Sequence, residues 1–229
     1  MIIALLGGES SGKSTLAEAL IGALSPVINA PVLLAPEYLR QWCEAHGRAP
    51  LEHEQASIAL TQVEQIEQSA RIGDGPAPVV IADTTPLMVA AYSELYFGDD
   101  SLWNEALAFQ RTCDMTLLMG LDLPWVADGL FRDSPAIRQA TDDMLRRKLS
   151  DAGLTFQTVY GKGDDRLRHA LRLIAPHLRR HYPDADPVVV TDSALIEGRG
   201  QWSCEACSDP DCEHRLFTRL MAERADRTI

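Results

Sequence analysis

Short, continuous apolar runs alternate along this chain with longer stretches whose apolar residues recur every three or four positions. The first run is residues 2–6, Ile-Ile-Ala-Leu-Leu, β-branched at two positions. Val32-Leu33-Leu34-Ala35, Val79-Val80-Ile81-Ala82, Met115 to Leu121 and Leu154 to Tyr160 follow it. Runs of this length bounded by Gly, Pro or Asp predict buried strands. Between them the pattern predicts helices over 13–24, 37–45, 51–72, 86–97, 101–112, 136–151 and 164–180. In the 51–72 stretch the apolar stripe is Ala59, Val63, Ile66 and Ala70, and Gly73-Asp74-Gly75-Pro76 breaks it. Pro86 suits a first helical turn and Gly98 closes the helix that it opens. Residues 122–135, with Trp125, Arg132, two prolines and several acids, read as a loop. Strands that are apolar throughout, alternating with helices, predict an α/β fold: a parallel sheet flanked by helices on both faces.

Composition shifts near Pro183-Asp184-Ala185-Asp186-Pro187, where a boundary is expected between a main domain at 1–182 and a small Cys-rich extension at 183–229. The 229 residues are 46% hydrophobic and 24% charged, enough for one substantial core. Net charge is −12, and the basic runs Arg146-Arg147-Lys148 and Arg179-Arg180 are short and fall in helical patterns. That argues against a nucleic-acid partner, since neutralising phosphates dominates such binding. The apolar start is six residues long, without a basic segment or cleavage site, and no stretch has the length of a membrane span. An odd cysteine count of five suits a reduced, cytoplasmic setting.

Chemistry concentrates after the first strand. Gly7-Gly8-Glu9-Ser10-Ser11-Gly12-Lys13-Ser14 matches G-x-x-x-x-G-K-[ST] in full, with a strand before it and a helix after it. The spacing predicts a phosphate loop whose N–H groups and helix start cradle a nucleotide, ATP. Lys13 is expected to reach the β- and γ-phosphates from a position exposed to them and outside the core. Ser14 is expected to ligate Mg²⁺, with Asp83 at the end of a buried strand as its second organiser. No N-K-x-D base-reading segment of a GTPase is present.

Glu37 follows the second strand and can act as base or orienter for an acceptor hydroxyl, or simply be a first-turn acid favoured by the helix dipole. Arg40, one turn on, can reach a phosphate or pair with Glu37. In the loop, Trp125 suits stacking on a flat ring or plain packing. Asp128 suits hydroxyl recognition, Gly129 a hinge, and Arg132 charge stabilisation in a lid. Tyr92 and Tyr96 sit one helical turn apart and read as core.

These segments together resemble the ribosylnicotinamide kinase domain of NadR-type proteins and the wider NadR-like P-loop ATPases. The resemblance is carried by Gly7 to Leu16 (including Thr15), Pro36-Glu37-Tyr38-Leu39-Arg40, Asp83-Thr84-Thr85-Pro86, Tyr92 to Gly98, and Pro124-Trp125-Val126 with Asp128-Gly129. It spans about residues 2–175. It implies a P-loop NTPase-type fold and ATP- and Mg²⁺-dependent phosphorylation of the ribose 5′-hydroxyl of nicotinamide riboside. It also implies that Glu37, Arg40, Asp83, Thr84, Trp125 and Asp128 face that substrate. Phe131 separates Asp128-Gly129-Leu130 from Arg132, so Arg138 rivals Arg132 as the lid arginine. The adenylyltransferase part of NadR carries H-x-G-H, which this sequence lacks, so the expectation is the kinase part alone. Alternative readings are a kinase for another nucleoside or small alcohol, and a regulatory NTP-binding module with slow hydrolysis.

Finally, Cys204-x-x-Cys207-x₄-Cys212-x-His214 places four soft or borderline ligands close together, the number that tetrahedral Zn²⁺ takes. The tight second pair leaves a redox pair, an iron–sulfur ligand set and unligated thiols as alternatives.

Overall fold

A computed structural model describes residues 1–72, 75–126 and 135–183. Five strands, β1 (Ile2–Leu6), β2 (Val32–Ala35), β3 (Val79–Asp83), β4 (Met115–Met119) and β5 (Gln157–Val159), form one sheet in the order β2-β3-β1-β4-β5. Every pairing is parallel. The helices are α1 (Lys13–Leu24), α2 (Tyr38–His46), α3 (Gln55–Ala70), α4 (Pro86–Phe97), α5 (Trp103–Gln110), α6 (Pro135–Asp151) and α7 (Asp164–His181).

The strands read as unbroken apolar runs because both faces of the sheet are covered. Ile3, Leu5, Val79, Ile81, Leu117, Met119 and Val159 turn to one face, where Leu16 and Leu20 of α1 and Ile174 and Leu178 of α7 pack on them. Leu6 and Leu118 turn to the other, against α4, α5 and α6, and Val80 and Ala82 meet Ile66 of α3 and Phe109 of α5 there. α4 is buried at every residue from Pro86 to Ser93, wedged between α3, α5 and α6, which is why it shows no polar face. One polar group inside this layer, Thr116 of β4, is satisfied by Gln110 Nε2 at 2.7 Å, whose Oε1 accepts from Thr85 Oγ1 at 2.7 Å. That buried chain fixes the segment that follows Asp83.

Several boundaries differ from the sequence pattern. The 51–72 stretch is a 3-10 turn at Glu52–Glu54 followed by α3, not one helix. The buried line of α3 is Gln55, Ile58, Gln62 and Ile66, so the stripe lies partly to one side of the expected one. A glutamine occupies the centre of that line because its amide is paired at both ends: Oε1 accepts the Tyr38 N–H at 2.7 Å and Nε2 donates to the Pro36 carbonyl at 3.1 Å. The fourth and fifth runs are shorter as strands than as apolar segments, since only Met115–Met119 and Gln157–Val159 find partners. No helix among the described residues is long and apolar enough to cross a membrane. The extension beyond residue 183, and with it Cys204, Cys207, Cys212 and His214, lies outside the described residues.

Candidate nucleotide and acceptor site

Parallel sheets of this kind present loops and helix starts at the carboxyl ends of their strands. Here β1 ends in the glycine loop, which turns directly into α1; the Leu16 N–H to Gly12 carbonyl bond, at 3.1 Å, starts the helix. Two glycines in the loop are required by their surroundings. A Cβ on Gly8 would stand 2.9 Å from the carbonyl oxygen of Arg138, and Gly12 holds φ +80° with Leu123 Cδ1 2.9 Å from where its Cβ would be. The loop is tied to itself by the Ser11 hydroxyl, which donates to the Gly8 carbonyl at 2.7 Å. It is tied to the segment after β4 by Ser10, whose Oγ accepts the Val126 N–H at 3.0 Å.

Lys13 departs from the expected exposure. It is only 7% exposed, and its Nζ donates to the Gly7 carbonyl at 2.8 Å and the Gly8 carbonyl at 3.2 Å. The ammonium is folded onto its own loop, where backbone carbonyls replace its hydration. Ser14 is half-buried at the start of α1, and Thr15 is exposed.

Asp83 ends β3 opposite Leu5 of β1, which places it beside the glycine loop. It is 5% exposed, and its Oδ1 is buried without a hydrogen-bond partner among the described residues. A buried carboxylate oxygen left open in this way fits a cation ligand. Beside a glycine loop that runs into a helix start, it makes the residues present compatible with a nucleotide and Mg²⁺. Thr84, next in the chain, is 2% exposed at φ +79°. A β-branched residue in that region is strained, by about 1–3 kcal/mol, and such strain gathers at functional sites.

The candidate acceptor side grows from β2. Ala35 pairs with Ala82, so Glu37 and Asp83 leave neighbouring strand ends. The Glu37 side chain is 11% exposed and its Oε2 lies 3.3 Å from Arg40 Nε, so the pairing of these two is what the structure contains. The backbone on each side of Glu37 is held by Gln62, a residue the sequence reading passed over. Tyr92 lies within reach of Glu37 and Glu9: burial first, then the charges of these two acids, pushes its phenol well above the usual range. Tyr92 is buried in the cluster around α4, as expected, whereas Tyr96 is exposed.

Trp125 is half-buried, stands outside the hydrophobic clusters, and has an indole Nε1 with no partner among the described residues. Asp128, Gly129 and Arg132 lie outside the described residues. Their rival Arg138 lies beside the loop, 5% exposed, with Nη1 donating to the Leu123 carbonyl at 2.8 Å while Nε and Nη2 have no partner among the described residues. Burial, then the nearby Arg166 guanidinium, lowers its pKa. No group of three or more His, Cys, Asp or Glu among the described residues could hold a metal ion.

A strand, glycine loop and helix at the carboxyl edge of this sheet, with a buried aspartate ending the adjacent strand, define a P-loop nucleotide-binding protein of kinase-like fold. The chain belongs to the AAA domain family, whose model matches residues 2–166. Over 162 residues it is 29% identical to the trifunctional NAD biosynthesis/regulator protein NadR of Salmonella typhimurium strain LT2. The corresponding NadR of Escherichia coli K12 is 28% identical over 162 residues. Each match covers 69% of this chain and 37% of the relative, so the chain spans well under half the length of these relatives. Among solved structures, NadR protein in complex with NR superposes with a TM-score of 0.61 at 20% identity, over 80% of this chain and 51% of that one. Thymidylate kinase from Ehrlichia chaffeensis superposes with a TM-score of 0.52 at 16% identity, over 77% of this chain and 98% of that one. These likenesses show the fold, and the resemblance to NadR-like P-loop proteins drawn from the sequence holds.

Proposed function

We propose that this chain is an ATP-dependent small-molecule kinase that phosphorylates the ribose 5′-hydroxyl of nicotinamide riboside. The observation that carries the reading is the joint placement of the glycine loop, the open buried oxygen of Asp83 and the Gln62-braced Glu37 on three adjacent strand ends. In this reading the three ends supply a phosphate holder, a metal organiser and a proton acceptor. The similarity to NadR supports the choice of riboside.

In this reading the loop N–H groups hold the phosphates, and Lys13 leaves the Gly7 and Gly8 carbonyls to reach the β- and γ-phosphates. Ser14 and Asp83 would hold Mg²⁺, which would neutralise charge on the phosphate oxygens. Gly7 to Thr15 form the nucleotide contact. Glu37 accepts the proton of the 5′-hydroxyl as its oxygen forms the new bond to the γ-phosphorus and the bond from that phosphorus to the ADP oxygen breaks. Arg40 exchanges its Glu37 partner for substrate, and Thr84 lines the same edge. Trp125 stacks on the cationic pyridinium ring, Asp128 takes ribose hydroxyls, and an arginine from Arg132 or Arg138 faces the transferring group. Arg138 has two buried open donors, which suits it to that role.

The test is product formation from ATP and a panel of ribosides. Nicotinamide riboside is expected to react fastest; equal or faster rates with ordinary nucleosides would move the chain to a different acceptor class. Nucleotide binding without transfer to any acceptor would leave a regulatory NTP-binding module.

A further inference from the structure

Behind the glycine loop, one buried side chain holds three separate segments together. Arg166, in the first turn of α7, is 4% exposed. Its Nη1 donates to the Ser11 carbonyl of the glycine loop. Its Nη2 donates to Asp122 Oδ1 at 2.6 Å and to the Gly120 carbonyl at 3.4 Å, both just beyond β4. Its Nε donates to the Gly161 carbonyl at 2.8 Å, in the turn between β5 and α7. Asp122 completes the arrangement, since its other oxygen accepts the Gly161 N–H at 2.6 Å. The same turn is pinned on its far side by His169, whose Nδ1 accepts the Tyr160 N–H at 3.1 Å. Burial lowers the pKa of His169, which favours the neutral ring that this bond requires.

This placement is costly. Burial disfavours the charge of Arg166 and lowers its pKa, offset in part by Asp122, and the start of a helix is the end that repels cations. Holding α7 on the sheet does not call for it, because Ala170, Leu171, Ile174 and Leu178 already pack there. What the guanidinium does alone is orient a peptide of the glycine loop. In a trans peptide the carbonyl and the following N–H point in opposite directions, and the described chain has no cis bond. With the Ser11 carbonyl drawn toward Arg166, the Gly12 N–H faces the other way, away from the guanidinium.

We propose that Arg166 is a positioning residue that sets the Ser11–Gly12 peptide for phosphate binding and couples the glycine loop to the β5–α7 turn through Asp122. The proposal rests on the P-loop reading of this site and not on the identity of the acceptor.

Calorimetric titration of Arg166→Lys and Asp122→Ala with inorganic triphosphate and with a non-hydrolysable ATP analogue tests it, alongside thermal melts of the ligand-free proteins. Lysine keeps the charge but loses the fork that reaches several carbonyls at once. Arg166→Lys is expected to weaken both ligands by about tenfold, roughly 1.4 kcal/mol, while melting within about 5 °C of the native protein. Asp122→Ala is expected to weaken both by a smaller factor, because the bond to Ser11 survives. Triphosphate affinity within about twofold of native in folded Arg166→Lys overturns the proposal, as does a loss confined to the analogue. Should Arg166→Lys fail to fold, Asp122→Ala decides, and unchanged triphosphate affinity there overturns it. A native chain that binds triphosphate but phosphorylates no riboside would remove the acceptor reading and leave this one standing.

Discussion

The glycine-loop end and the β2 end of the sheet edge, the candidate nucleotide and acceptor sides, are built in opposite ways. Around the glycine loop the charged groups are buried: Lys13, Arg138 and Arg166 are 7%, 5% and 4% exposed, and each donates to backbone carbonyls. At the end of β2 the cation is open, although its acid is not. Arg40 is 49% exposed and pairs with Glu37 through a 3.3 Å contact on a helix that buries only Trp42 and Cys43. Solvent screens the Arg40 end of that pair, so Arg40 is freer to change partners than a buried cation. Arg166, buried and bound to several carbonyls, has no such freedom. A phosphate chain presents the same oxygens whatever its acceptor, and a rigid backbone cradle suits it; an acceptor is recognised through side chains that can rearrange.

The contrast is broken most severely at Lys13. Lys13→Met should lower kcat/KM by on the order of 10³-fold, by analogy with removal of a single charge-stabilising donor. It should also leave the Gly7 and Gly8 carbonyls without the ammonium, so a modest drop in melting temperature is expected with it. Near-native turnover in folded Lys13→Met protein would remove the phosphotransferase reading altogether.

A smaller effect separates the two sides. Glu37→Gln should reduce kcat by roughly 10²-fold with little change in ATP affinity, because in the proposed reading it meets the acceptor hydroxyl. Asp83→Asn should instead raise the Mg²⁺ concentration needed for half-maximal rate by roughly tenfold. Steady-state kinetics at varied ATP and Mg²⁺ distinguish the two, and weakened ATP binding with unchanged kcat in Glu37→Gln would show the base assignment to be wrong.

Gln62→Leu probes how the acceptor side is held. It strands the Tyr38 N–H and the Pro36 carbonyl, at a cost of about 1–3 kcal/mol, seen as a fall of roughly 2–10 °C in a thermal melt. The KM for the riboside should rise while that for ATP stays put. An equal rise in both would mean that Gln62 serves the fold at large and not Glu37.

The smallest effect on chemistry is expected from the cysteine cluster. On spacing alone Cys204, Cys207, Cys212 and His214 form a candidate structural zinc site, filled by protein at all four positions. Protein purified without chelator should hold about one equivalent of zinc per chain. The Cys204→Ser/Cys207→Ser double variant should lose it and keep its rate at the glycine loop. Metal-free protein after refolding with added zinc, with all three thiols reactive, would dispose of the site.

Much of the nucleotide side was legible before any coordinates. β1 and α1 begin and end where the apolar run and the glycine loop place them, because a buried strand and a loop that must wrap phosphates both impose local sequence rules. The acceptor side was less legible. Gln62 occupies the centre of a buried helical line, between Ile58 and Ile66, and its polarity hides that role; only the two backbone groups it meets explain it. Arg166 carried a faint signal, a cation in a first helical turn behind Asp164 and Asp165, where the dipole favours acids.

The sequence by itself determined the alternation of strands and helices, the sheet class, the phosphate loop and the acids at two strand ends, since these depend on the period and chemistry of neighbouring residues. The tertiary structure decided the rest. It set the strand order, folded Lys13 onto its own loop, strained Thr84 and brought Arg166 to Ser11 across 155 positions. Local pattern states how deeply a residue is to be buried; which distant carbonyl it will meet there is settled only when the layers pack.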